Sequence, residues 1–214
     1  AYTALPIHLG NDANAAALAE ARVGAARGAK NAVMITLGTG VGGGIVADGK
    51  IYTGFNGLAA ELGHFVIQKD GVPCGCGRRG CFEAYASATA LIRMTKEELD
   101  RCFVSGEGTL MAESRKLNAR VAFDAYRAGD AAAKRVIEKY IGYLASGIAS
   151  LINICQPEVF IIGGGVSNEK QFLLDLLTPL VDAEDFAKGA KKRTRIVTAT
   201  CGNDAGIIGA AMNA

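Results

Sequence analysis

Four prolines in 214 residues, no excess of one charge and no long uninterrupted apolar run already narrow what this chain can be. Half of the residues are hydrophobic and 21% are charged. That excludes a disordered chain, which needs low hydrophobicity and high net charge. Twenty-three Lys and Arg stand against 21 Asp and Glu, a formal net charge of +2, too balanced for a protein living mainly on nucleic-acid phosphates. The densest basic stretch, Lys188, Lys191, Lys192, Arg193 and Arg195, reads as a solvated loop. The longest apolar run, Tyr140 to Cys155, is broken by Ser146, Ser150 and Asn153 and falls short of the roughly 20 residues of a membrane span. There is no signal-peptide pattern, internal repeat or low-complexity tract. Ala1 to Leu9 reads as a short connection into a strand, within a piece of a longer protein.

Glycine is in excess: 28 of 214 residues, about 13% against a usual level near 7%. Without a collagen period, those glycines belong to turns and loops. Asn31 to Leu37 reads as a buried strand, and Gly44 to Thr53 as a hairpin turning at Asp48-Gly49. Asp12 to Ala26, Phe82 to Met94, Lys96 to Cys102, Asn118 to Ala128 and Ala131 to Ile154 read as helices, the last stopped by Pro157. Glu158 to Ile162 and Arg195 to Ala199 are further strands. A helix opens at an Asn168/Gln171 capping box and runs to Leu177, and Asn203 to Met212 is the final helix. An early hairpin and late strand–helix alternation predict an α/β fold with a mixed sheet.

Three of the six cysteines, Cys74, Cys76 and Cys81, fall together in PCGCGRRGC, with His64 ten residues before the first. Three thiolates and an imidazole make a closed tetrahedral set of the structural zinc type. Glycines 75, 77 and 80 let the loop bend around one ion. Inert thiols and a disulfide are the alternatives. Cys102, Cys155 and Cys201 are scattered in apolar surroundings, as in a reduced cytoplasmic protein. Glu61-Leu62-Gly63-His64 lacks the second histidine of a metalloprotease helix but places a carboxylate and an imidazole on one turn.

The run Gly38-Thr39-Gly40-Val41-Gly42-Gly43-Gly44 follows a strand, and its backbone amides suit phosphate oxygens. Gly38, Gly40 and Gly43 satisfy a dinucleotide pattern, yet a hairpin follows where that motif needs a helix. Gly163-Gly164-Gly165 is a second glycine loop at a strand end, and two such loops suggest a nucleotide between them. Asp12, in Asn11-Asp12-Ala13-Asn14, is either a helix cap or a general base beside a phosphate loop.

NDANAAALAE, GTGVGGGIV, GLAAELGH, CGCGRRGCFE and IIGGGVS, in this order, resemble the ROK family (repressors, open reading frames and sugar kinases), most closely its bacterial glucokinase branch. The resemblance spans nearly the whole chain. It implies an actin-like, hexokinase-type (ribonuclease H-like) lobe with a zinc knuckle, acting in the cytoplasm in glycolysis. Asp12 then matches the base that deprotonates the 6-hydroxyl of a hexose, glucose foremost. Asn11, Glu61, His64 and Glu83 match sugar ligands. His64, Cys74, Cys76 and Cys81 match zinc ligands. Gly38, Thr39, Gly40, Gly42 and Gly43 match the loop on the ATP phosphates, and Gly163 to Gly165 one near the adenosine, with Mg2+ accompanying ATP. The family usually dimerises, so a homodimer is implied. Residues 1–214 would be the large, carboxy-terminal lobe, since nothing matches the family's Asp-x-Gly-x-Thr phosphate motif. Such a lobe alone is expected to have little or no kinase activity, because its cleft cannot close over ATP. Ala60 stands where the family commonly has glycine, and its methyl is expected to disturb nothing. A kinase for another hexose or an N-acetylhexosamine, and the sugar-sensing half of a repressor that binds DNA through a separate domain, remain open.

Overall fold

The computed structural model describes residues 10–212; the connection expected over 1–9 lies outside them. Helix α1 (Asp12–Arg22) comes first, followed by strands β1 (Ala32–Leu37), β2 (Val41–Ala47) and β3 (Lys50–Ile51). Four helices come next: α2 (Glu83–Ala86), α3 (Ala88–Ser105), α4 (Arg120–Arg127) and α5 (Ala131–Cys155). The chain ends with β4 (Val159–Gly163), α6 (Gln171–Glu184), β5 (Arg195–Thr198) and α7 (Ala205–Met212). The strands form one sheet in the order β3-β2-β1-β4-β5. β1 runs antiparallel to β2 and parallel to β4, and β4 runs parallel to β5. The mixed sheet is therefore present. The hairpin turns at Asp48 and Gly49, both with positive φ (49° and 76°), as a tight Asp-Gly turn requires.

Because side chains alternate along a strand, the central strands feed two cores. Val33, Ile35, Phe160 and Ile162 join the larger one, under α5 and α6, while Met34 and Ile161 join the smaller one, under α1 and α7. Alanines make the second interface thin. A Cβ on Gly44 would lie 2.6 Å from the Ala17 methyl, and one on Gly209 would lie 1.7 Å from the Ala15 carbonyl oxygen. α1 and α7 thus lie in backbone contact. In the larger core Tyr140 is fully buried and its hydroxyl donates to the Ala86 carbonyl at 2.7 Å. Burying a side chain of this size contributes roughly 1.5–3 kcal/mol.

Several elements differ from the sequence reading: α1 stops at Arg22, short of Ala26, and α7 starts at Ala205 after a 3-10 turn over Gly202–Asp204. The helix expected over Phe82 to Met94 breaks at Ser87, whose extended backbone (ψ 163°) starts α3 and whose hydroxyl caps Ala90 N–H. The break frees the Ala88 N–H to donate to the Gly38 carbonyl at 2.9 Å, and α3 then runs unbroken to Gly106. No Asn168/Gln171 capping box forms: Gly165–Glu169 is a 3-10 turn, and α6 opens after Lys170 without a side-chain cap. α6 also passes Leu177 with Pro179 inside it, because the buried face Leu173, Leu177, Val181 continues across the missing backbone bond. The basic stretch is exposed, as expected, but Arg193 pairs with Asp182 and Asp185 and Arg195 opens β5. Among the described residues no helix is long and apolar enough to cross a membrane.

Candidate functional site

β1, β4 and β5 are parallel, so their carboxyl ends share one edge of the sheet. A cleft of about 780 Å³ opens there, where open α/β sheets hold ligands. Gly38, Thr39 and Gly40 leave β1 into it, and Gly163, the last residue of β4, lines it with Gly164 and Gly165, which follow the strand. The glycine run is not wholly a loop, however. Only Gly38 to Gly40 form the turn, closed by Gly38 N–H on the Gly40 carbonyl at 3.0 Å, while Gly42, Gly43 and Gly44 belong to β2. Gly42 still lines the cleft. Gly43 faces Leu62, whose Cγ would lie 2.5 Å from an added Cβ, so its lack of a side chain serves packing. The turn is anchored to α3 by the Ala88 N–H and by the Thr89 hydroxyl, which donates to the Thr39 carbonyl at 2.8 Å.

Asn11 is the cap residue of α1: its Oδ1 accepts the N–H groups of Ala13 (2.9 Å) and Asn14 (3.1 Å), and Asp12 Oδ1 shares the Ala13 N–H at 2.8 Å. Asp12 occupies the first helical position, is exposed, and lines the cleft. Glu61, His64 and Glu83 line the same cleft, whereas Asn11 stands outside its lining. His64 N–H donates to the Glu61 carbonyl at 3.0 Å, which confirms the shared turn. Ala60, just before it, has φ +67°. The methyl expected to be harmless therefore sits in the left-handed region, where a side chain is strained.

The metal-ligand residues converge. Donor atoms of His64, Cys74, Cys76 and Cys81 all lie within 4.8 Å of one another. Cys74 Sγ is 3.7 Å from His64 Nδ1, and Cys76 Sγ is 3.6 Å from Cys81 Sγ. A tetrahedron with metal–sulfur bonds near 2.3 Å has edges of about 3.7 Å, so the donor set fits an ion of that size. A disulfide needs about 2.05 Å, and all six cysteines are free. Gly77 (φ +86°) and Gly80 (φ +78°) make the bends, and Gly80 lies against the Gln68 carbonyl, where a Cβ cannot fit; Gly75 needs no special backbone. Burial pushes the Cys74 thiol up to about 12 and raises Cys81, while the Arg78 backbone N–H lowers Cys76. A bound cation would offset that penalty on the buried thiolates.

Glu83 joins the two halves of the site. Its Oε2 accepts the Val41 N–H at 2.9 Å, and its Oε1 lies 3.5 Å from Cys74 Sγ. The sequence reading missed a third wall: Gly202, Asn203, Ala205 and Gly206, beyond β5, complete the cleft. The signal was present, as strand, glycine, polar pair and helix in succession, but without the repeated glycines that marked the other two loops.

Known proteins resemble this chain in sequence and fold. The chain is 45% identical to a glucokinase of Halalkalibacterium halodurans over 97% of its own length and 34% identical to an N-acetylmannosamine kinase of Haemophilus influenzae over 98%. It spans 63% of the length of each. A ROK family glucokinase from Streptomyces griseus, solved in complex with glucose and AMPPNP, superposes with a TM-score of 0.87 at 36% identity, covering 98% of this chain and 68% of that one. A ROK family transcriptional regulator homologous to E. coli MLC superposes at 0.82 with 31% identity, covering 99% and 52%. The ROK family model matches residues 1–214, and the chain belongs to the ROK family.

Proposed function

We propose that this chain is the large lobe of an ATP-dependent sugar kinase that phosphorylates the 6-hydroxyl of a hexose, glucose foremost. The observation that carries this reading is the convergence of Asp12, Glu61, His64, Glu83 and the Gly38–Gly40 turn on one cleft. Glu61 and His64, with Asn11 at the rim, would hold the sugar hydroxyls. Asp12 takes the proton from the 6-hydroxyl as that oxygen attacks the terminal phosphorus of ATP. The bond from that phosphorus to the bridging oxygen breaks, and ADP leaves with the electron pair. The backbone amides of Thr39 and Gly40, in a turn that the Gly38 N–H closes, would meet the phosphate charge, Gly163–Gly165 would lie near the adenosine, and Mg2+ bound with ATP would neutralise part of the charge. Zinc suits the Cys₃His set; bound there, it would supply a structural cross-link that fixes the His64 ring. The six free cysteines suit a reducing, cytoplasmic setting, and dimerisation is carried over from the family alone.

The likeness to a ROK transcriptional regulator favours a second reading, a sugar sensor without phosphoryl transfer. One experiment separates the two: a coupled assay of the complete protein bearing this chain, with ATP against hexoses and N-acetylhexosamines. Turnover on glucose, with little or none from the 214-residue chain alone, supports the proposal. Tight sugar binding without turnover supports the sensor, and turnover confined to an N-acetylhexosamine would replace the substrate.

A further inference from the structure

Eight residues, about two helical turns, separate Asp12 from a carboxylate that the proposed chemistry leaves unused. Glu20 is fully buried. Its Oε1 accepts the backbone N–H groups of Thr200 (2.8 Å) and Cys201 (2.7 Å). Its Oε2 accepts the Ala25 N–H (2.7 Å) and the Thr200 hydroxyl (3.3 Å). Gly24 lies against it so closely that an added Cβ would stand 2.1 Å from Oε2. Burying a carboxylate is costly unless donors fully satisfy it, and four donors converge here. The residues that follow Thr200 and Cys201 are Gly202, Asn203, Ala205 and Gly206, the cleft wall beyond β5.

We infer that Glu20 is a positioning residue that locks this wall to the helix carrying Asp12, fixing the nucleotide side of the cleft against the base. The inference rests on the kinase reading, in which the cleft holds ATP. α7 lies on α1 through backbone contact at Gly209, so the helix after the wall is already fixed. Glu20 restrains the remaining free part, the turn between β5 and α7. Both carboxylate oxygens face donors. An amide has one carbonyl oxygen, so Glu20→Gln turns an N–H₂ group onto a pair of donors whichever way it rotates.

The test is steady-state kinetics on the complete protein bearing this chain, with nucleotide affinity measured separately by displacement of a fluorescent ATP analogue. Glu20→Gln is expected to raise the KM and the dissociation constant for ATP about tenfold or more, the scale of a lost charge-assisted hydrogen bond, with the sugar KM within about twofold. Thr200→Val removes only the hydroxyl donor and should move the same parameters in the same direction by about two- to threefold. It decides the matter if Glu20→Gln fails to melt cooperatively. A merely structural brace would lower the active fraction and leave both KM values alone, or move them together, and either result overturns the inference. Wild-type protein that binds nucleotide without turnover on any sugar overturns the kinase reading instead, while the affinity comparison still judges Glu20.

Discussion

Glu83 Oε2 accepts the backbone N–H of Val41 at 2.9 Å, so the carboxylate that the family resemblance assigns to sugar also fastens the metal-ligand loop to the glycine turn. The absence of a side chain at Gly40 permits this, since an added Cβ would sit 2.3 Å from that oxygen. Gly40→Ala should therefore push Glu83 off Val41 and lower kcat/KM about ten- to a hundredfold, as misplacement of a site by an ångström does. Glu83→Ala removes the same link. Combining the two should cost little more than the worse single change, because residues acting as one unit are not additive. A loss equal to the sum of the two would separate their roles.

Asn11 holds the cap position of α1 and accepts the Ala13 and Asn14 N–H groups, and the one bond Asp12 adds there, Oδ1 accepting the Ala13 N–H at 2.8 Å, is one an amide oxygen can also make. Asp12→Asn should therefore leave the melting temperature within about 2 °C. Turnover should fall about 10²–10⁴-fold, the usual contribution of a general base, with sugar affinity by calorimetry little changed. Full turnover in the variant would leave the 6-hydroxyl proton without its proposed acceptor.

Cys76 is the exposed member of the Cys/His cluster and can be changed with little disturbance of packing. Cys76→Ser, or treatment with a strong chelator, should remove one equivalent of metal by elemental analysis. Sugar affinity should weaken together with metal loss, because His64 is the one residue common to cluster and cleft. Metal-free protein with undiminished sugar affinity would show that His64 is held by the fold alone.

The Arg193 guanidinium holds the Asp185 carboxyl below its ordinary value of 3.8, and Arg101 with Arg135 holds Glu98 below 4.5. A carboxyl whose pKa is lower folded than unfolded stabilises the fold above the unfolded value. It loses that contribution as pH falls through the folded one. Wild type should therefore melt above Arg193→Gln at pH 6, and the gap should close as pH drops below about 3.8, the ordinary Asp185 value. A gap that widens in acid would reverse the assigned sign.

What could be read in advance was what covalent chemistry dictates locally. Four metal donors within 18 residues (His64 to Cys81), an Asp-Gly hairpin and apolar strands ending in glycine need little tertiary information. What escaped depended on distant partners. Ser87 breaks a helix because Ala88 bonds Gly38. Gly43 and Gly44 look like loop residues but are strand positions emptied for Leu62 and Ala17. The wall at Gly202 to Gly206 joins the cleft only through its place beyond β5.

Ala60 shows the same limit at a single backbone angle. Its methyl was expected to be innocuous, yet φ is +67°, and its carbonyl accepts the Leu62 N–H at 2.7 Å in the tight turn that aims Glu61 into the cleft. A side chain in this region costs about 1 kcal/mol or more. Ala60→Gly removes that strain but gives the unfolded chain about 0.4–1 kcal/mol of extra freedom. The net gain should be about 0.5 kcal/mol, or 1–2 °C in melting temperature for a chain of this size. Ala60→Val, β-branched in a region that tolerates such residues poorly, should lower melting by several degrees and weaken sugar binding as Glu61 shifts. A valine variant that melts and binds like wild type would place residue 60 outside the left-handed region and remove the strain from this turn.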